Sequence, residues 1–379
     1  MRRHKKTSAV VLVVVLFTPV WWSLGNALMN PGLGSSLPAR FAEWSRAHGA
    51  GSFVNWTENL WYSHHPPPVG GSPAAGAIPS PKAPPDTLPV PTPAIAHLPP
   101  PAPIVPFASP PAAGEGQWHP AGRLVGGSPA VYEAYLRPDG VHTSIVTGVA
   151  WMDTKLLSAT LYSGSTIPGS GPWRDTAPVS NQAAASLVAA FNAGFLMSSA
   201  NGGYYTQGTM VAPLRPGAAS FVIYNDGTAT IAQWGRDVAM GPNVVAVRQN
   251  LDLLVDGGQA VAGLNATDTT RWGATLGNRV YVWRSGVGVT ADGALVYVGG
   301  PDLNITDLAD VLVRAGALRA MELDINTDWV NYATYGPSPG TSATPANGSD
   351  LLPNMVGTPQ RYFEPWWSRD FFTMSARTS

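Results

Sequence analysis

The 379-residue sequence contains no cysteine, which excludes disulfide staples, thiolate catalysis and cysteine-ligated zinc. Charge is scarce too, with Asp, Glu, Lys and Arg supplying 12% of residues. From residue 115 onward only two histidines occur, His119 and His142. A Ser-His-Asp triad or a His-rich zinc site therefore has almost no material. The same region holds 20 acidic and 15 basic residues, a balance of -5. Without a dense basic surface it offers nucleic acid no footing. Carboxylates, amides, arginines and backbone groups must carry whatever chemistry is present.

In excess are turn formers, 41 Gly and 37 Pro, a composition that leans towards β structure. Arg2, Arg3, Lys5 and Lys6 form a basic tail, residues 1–6, ahead of an uncharged run from Thr7 to Asn30. This pattern predicts a membrane anchor over 7–30 with the amino terminus inside and the remainder outside the cell membrane. The alternative is a cleaved signal segment and a secreted product. Residues 35–64 place Leu37, Phe41, Trp44, Phe53, Trp56 and Leu60 at helical spacing, broken by Gly49 and Gly51, and predict two short amphipathic helices. Residues 65–114 read as a proline-rich linker with a reach on the order of 100 Å. Pro66 to Pro111 alone holds 18 prolines.

Residues 115–379 predict an α+β domain of mixed, twisted sheets with few helices. Alternating runs at Val131 to Leu136, His142 to Trp151, Lys155 to Tyr162, Ser220 to Tyr224 and Val244 to Val247 read as strands. Asp-Gly pairs at 139, 226, 256 and 292 punctuate them. Helices are expected over Ser180 to Ala190 and from a cap near Thr306 to Gly316.

Three segments could carry chemistry. The strand Leu318 to Asp324 points Glu322 and Asp324 to one face, where two carboxylates can divide acid and base roles. A structural pairing with arginines is the competing reading. Asp324, Asn326 and Asp328 also match the first three ligands of a calcium loop, but its glycine and closing Glu positions hold Trp329 and Tyr335. "FNAGF" carries Asn192, suited to reach a cavity or cap a turn, and the Gly-rich loop after it carries Tyr204 and Tyr205, suited to stack on a sugar. "VRQN" supplies Arg248 and Asn250, and Arg284 enters a Gly-flanked turn where a guanidinium could clamp phosphate. An Arg284 pair with Asp292 is the plain alternative.

"FNAGF", "LLVDGG" at 253–258, Arg284 with Gly286-Val287-Gly288, "DLADVLVRAGALRAMELD" and the closing "RDFF" at 369–372 together resemble the phosphodiester glycosidase family. The resemblance implies cleavage of a glycosidic bond whose anomeric carbon carries a phosphodiester oxygen. It places Asn192, Arg284 and Asp324 in the site, with Glu322 as a second carboxylate, and implies a phosphate-linked carbohydrate as substrate. Arg248, Asn250, Tyr204, Tyr205 and Asn326 are the expected substrate contacts. No cofactor is expected, a calcium ion at Asp324, Asn326 and Asp328 being the alternative. The sequence departs from the family where Ile325-Asn326-Thr327 replaces a Gly-rich stretch after Leu-Asp. A non-catalytic carbohydrate-binding or envelope-organising domain is the second functional reading.

Overall fold

The computed structural model describes residues 18–34, 36–49, 66–79, 96–169, 171–268, 271–273 and 279–377. Three antiparallel sheets build the domain. The largest has eight strands and runs His119–Val125, Ser128–Leu136, Thr147–Met152, Leu295–Leu303, Val282–Thr290, Ala317–Glu322, Leu253–Asp256, Gln259–Ala260. A five-stranded sheet centres on Val244–Gln249, and a second on Leu187–Asn192 flanked by Tyr332–Tyr335 and Phe371–Ala376. Among the described residues, parallel contacts are confined to two isolated bridges, Ser163 with Thr176 and Trp234 with Val238. The fold is α+β with few helices, as expected.

Three of the four Asp-Gly pairs turn hairpins. Gly227, Gly257 and Gly293 all have positive φ, which favours glycine in these tight reversals. The Ile305–Arg314 helix lays Leu308, Leu312 and Ile305 on one face of the large sheet against Val149, Val296 and Ala320. The opposite face packs against the two smaller sheets through an aromatic cluster, with Phe221 stacked on Phe372 at 4.0 Å and Phe191 5.4 Å from Tyr297. The helix starts at Asn304, whose side chain accepts from the N–H groups of Thr306 and Asp307 while Asp307 accepts from the Asn304 N–H. Replacing Asn304 by Ala is expected to cost about 1 kcal/mol in urea denaturation, by exposing these donors unpaired.

Two expectations fail here. The helix over Ser180 to Ala190 is a single turn, Asn181–Ala184, and from Leu187 the chain is a strand. Leu187–Asn192 is hydrogen-bonded on both edges and buried throughout, so its apolar run lacks the alternation that marks a half-exposed strand. The proline-rich linker also does not extend to 114. Leu98, Ile104 and Ala108 are buried, and the Leu98 N–H donates to the Asp153 carboxylate at 2.7 Å. Arg314 donates to the carbonyls of Val105 and Pro106 and lies over the Phe107 ring, while Arg137 pairs with Glu115 at 2.7 Å. Extended proline-rich backbone keeps its carbonyls free, and these arginines use them as acceptors. Residues 66–79 are tied down too, through the Gly70 N–H to the Val141 carbonyl.

At the amino-terminal end, residues 18–29 are helical, Pro31–Leu33 is one 3-10 turn and Leu37–Ala47 is a helix. The predicted second amphipathic helix and the first half of the predicted anchor lie outside the described residues. Among those described, no helix is long and apolar enough to cross a membrane.

Candidate active site

Five segments distant in sequence bring polar groups together at one end of the sheets. Asn192 ends its strand directly after Phe191, which the aromatic cluster holds. Its amide donates to the Ala193 carbonyl and to Ser285 Oγ, and accepts from Tyr297 Oη and the Asn331 N–H. Ser285 in turn donates to the Asp324 carbonyl and accepts from the Asp324 N–H. Asn250 accepts from the Phe195 N–H and donates to the carbonyls of Glu322 and Leu323, clasping the "FNAGF" loop to the strand end. Gly194 has to be glycine for this. A Cβ there would lie 2.9 Å from Asn250 Oδ1 and 3.2 Å from Arg248 Cζ.

Two ion pairs are sealed beneath. Arg284 Nη1 meets Glu322 Oε1 at 2.6 Å, and its other donors reach the carbonyls of Leu303, Trp272 and Val280. Arg248 Nε meets Asp370 Oδ2 at 2.7 Å and donates further to the carbonyls of Gln249 and Phe195. Each of these four side chains is at most 1% exposed. The sequence expectation that Arg284 clamps phosphate is thus corrected, because its guanidinium is committed inside the protein. Arg248 is committed in the same way, and Asp292 accepts from Thr290 rather than from Arg284. Glu322 Oε2 is buried without a partner among the described residues, and burial, against the opposing pull of Arg284, pushes the Glu322 carboxyl up to about 7.

Asp324 stands apart from these pairs. Its Oδ1 accepts from the N–H groups of Ile325 and Asn326, at 2.7 and 3.0 Å, while Oδ2 accepts no hydrogen bond among the described residues. Burial raises its pKa to about 6, opposed chiefly by the positive charge of Arg369. Asn326 repeats the same turn one step on, accepting from the Asp328 N–H. The "DINTD" run is therefore a pair of side-chain-capped turns. Among the described residues no group of three or more His, Asp or Glu side chains is arranged to hold a metal ion. Tyr204 is buried beside Arg248, and Tyr205 faces the other way, into a separate cleft of about 700 Å³ with Arg174 and Gln207. Asn192, Asn250, Arg284, Glu322 and Asp324 thus converge, whereas Tyr205 does not join them.

Arg369 is the functional candidate that sequence reasoning passed over. It is only 8% exposed, lies over the Trp329 ring at 4.3 Å, and its Nη1 is buried with no partner. Its guanidinium makes no hydrogen bond or ion pair among the described residues. Burying a guanidinium nitrogen without an acceptor is costly, and suits a site that awaits an anion. The available signal was the pair Arg369-Asp370, of which Asp370 is taken by Arg248, leaving its neighbour free.

Residues 185–324 match the family model described as phosphodiester glycosidase, the family whose motifs the sequence resembles. Among solved structures, the chain is similar to the zebrafish N-acetylglucosamine-1-phosphodiester alpha-N-acetylglucosaminidase catalytic domain auto-inhibited by its pro-peptide. That match has 16% identity over 69% of this chain and 88% of that one, with a TM-score of 0.41. A hypothetical protein from Synechocystis matches at 12% identity over 66% and 63% of the two chains, TM-score 0.38. An exported protein from Burkholderia pseudomallei matches at 14% over 61% and 74%, TM-score 0.29. No curated protein matches the chain.

Proposed function

We propose that the protein is a hydrolase that cleaves the glycosidic bond of a sugar-1-phosphodiester. The observation that carries this reading is the proximity of Asp324, with one oxygen uncommitted among the described residues, to Arg369, whose Nη1 is buried with no acceptor among them. Arg369 takes the phosphate and draws off the charge that develops on it. Asp324 as carboxylate takes a proton from water as the water oxygen bonds to the anomeric carbon. The bond from that carbon to the phosphoester oxygen breaks, and its electron pair leaves with the phosphate monoester. Such a leaving group is stable without protonation, so a second, acidic residue is not needed. Asn192 and Asn250 hold the strand ends that present Asp324.

Incubation with methyl esters of several sugar 1-phosphates, followed by ³¹P NMR in ¹⁸O-enriched water, tests the reading. Methyl phosphate should appear, with the label in the sugar. Label in the phosphate would show P–O cleavage and overturn it, and tight binding without product would favour the carbohydrate-binding alternative. Arg369→Met should raise KM by about 10–100-fold through loss of charged hydrogen bonds, while leaving the melting temperature unchanged or higher. A lowered melting temperature with unchanged KM would assign Arg369 to structure instead.

The basic start and the uncharged Thr7 to Asn30 run support placing the enzyme outside the cytoplasm, held at a membrane. Recovery of the full chain in the soluble fraction after cell breakage would count against the anchor.

A further inference from the structure

The amino-terminal helices are fastened to the domain beside Arg369. Its neighbour Ser368 donates through Oγ to the Gly32 carbonyl, and a Cβ on Gly32 would run into the Trp366 carbonyl oxygen. Arg40 stitches the Leu37–Ala47 helix to this turn by donating to the carbonyls of Gly34 and Leu28, each at 2.9 Å. Leu28 lies in the last turn of the helix over 18–29, where a carbonyl lacks a partner within the helix, and the guanidinium supplies one. Trp44 Nε1 donates to Ser23 Oγ at 3.0 Å, so the two helices lie side by side as an antiparallel pair. The pair also reaches the candidate base, since the charge of Glu43 adds to the upward shift of the Asp324 pKa.

Elsewhere the helical pair leaves large apolar side chains uncovered. Trp21 and Trp22 are 65% and 73% exposed, and with Phe41 they are the exposed Trp and Phe side chains among the described residues. Tryptophan favours the boundary between water and lipid. Ahead of these indoles the sequence is uncharged back to Thr7, and Arg2, Arg3, Lys5 and Lys6 precede that run. Because Ser23 is already bonded to Trp44, the stretch left for a bilayer is the 16 residues Thr7 to Trp22. At roughly 1.5 Å per helical residue they cover about 24 Å, somewhat less than a hydrocarbon core of about 30 Å, so Trp21 and Trp22 fall at its edge.

We infer that the helical pair docks the active site against the bilayer surface, and that the substrate is a sugar 1-phosphate esterified to a long-chain alcohol embedded there. The inference rests on the proposed function and on the membrane placement given with it. From Trp22 to Met29 the helix rises at most about 10 Å, and the turn held by Ser368 follows directly. Arg369 therefore stands just above the lipid headgroups, the level at which the phosphate of such an ester lies. The reach of the proline-rich stretch plays no part in this height, because the chain is clamped to the domain before that stretch begins. Hydrolysis places the water oxygen on the anomeric carbon and leaves the electron pair of the broken bond on the phosphate. The sugar is released to water, and the long-chain alkyl phosphate stays in the membrane.

Because the chain lacks cysteine, one introduced thiol can report the geometry. Val356 is 39% exposed and lines one recess with Pro31 and Gly34. With the full chain in phosphatidylcholine vesicles, a fluorophore on Val356→Cys should be quenched by lipids bearing a nitroxide on the headgroup. Gly32→Val, which breaks the clamp, should restore the emission. The same vesicles carry a prenyl ester of a hexose 1-phosphate, and the methyl ester in solution is the control. Gly32→Val should lower kcat/KM on the prenyl ester at least about tenfold through lost effective concentration, and leave the methyl ester unchanged, with melting curves confirming folding. An unquenched label overturns the docking and the lipid substrate, even if the methyl ester is hydrolysed. Equal loss on both esters, or loss on neither, overturns them as well. Quenching relieved by Gly32→Val, with the prenyl ester bound by the Asp324→Asn protein and neither ester hydrolysed by the unsubstituted one, keeps the lipid-linked ligand and removes the proposed reaction. Quenching without binding of either ester removes both.

Discussion

Replacing Asp324 by asparagine is expected to lower kcat/KM on a sugar-1-phosphodiester by about 10²–10⁴-fold, the usual contribution of a positioned base. Asparagine keeps the Oδ1 that accepts from Ile325 and Asn326, so the turn should persist. In the unsubstituted enzyme kcat/KM should rise with pH through about 6, because the carboxylate is the working form and burial holds the Asp324 pKa there. The stability effect has the opposite sense. A carboxyl with its folded pKa above the ordinary 3.8 contributes stability that is full below that value and is lost as pH rises through about 6. Asparagine has no charge to bury. At pH 8 the variant should therefore be more stable, by up to about 3 kcal/mol, and at pH 3 the two should match. Loss of activity together with stability at pH 8 would mean that Asp324 is structural.

Arg284→Met should cost about 3–5 kcal/mol, seen as a lower midpoint in urea, because it leaves Glu322 buried without its counter-charge. The double variant Arg284→Met with Glu322→Leu should recover most of that loss, since removing both charges also removes the penalty of burying them. This pattern separates an internal pair from a ligand clamp. If Arg284→Met left the midpoint unchanged and raised KM, the guanidinium would be reaching the substrate, and the assignment of the phosphate to Arg369 would have to be withdrawn.

Much of the scaffold was legible because local signals agreed with burial. A cap near Thr306, placed by the structure at Asn304, and Gly316 bracket a helix with one apolar face, and the strand that follows it, Ala317–Glu322, ends two residues before Asp324. Leu187 to Phe191 misled because a strand buried on both faces has no alternation to read. The proline-rich residues 96–111 misled for a different reason. Their anchors are Asp153, Arg137 and Arg314, remote in sequence, and composition carries no trace of such partners. The exchange of Arg284 for Arg369 is of the same kind. Both stand beside aromatic residues near a strand end, and only the fold reveals that one guanidinium has its donors taken while the other does not.

The stretch matched by the family model ends at Asp324, but the strand Phe371–Ala376 lies between Leu157–Tyr162 and Leu187–Asn192. Excising residues 185–324 would take strands from all three sheets and strip Leu187–Asn192 of both its neighbours. A shortened clone cut to those limits should yield insoluble protein whatever its active-site chemistry. Since Phe371–Ala376 must be synthesised before that central ladder can close, the nascent chain has to leave the ribosome almost entirely before Asp324 and Arg369 can meet.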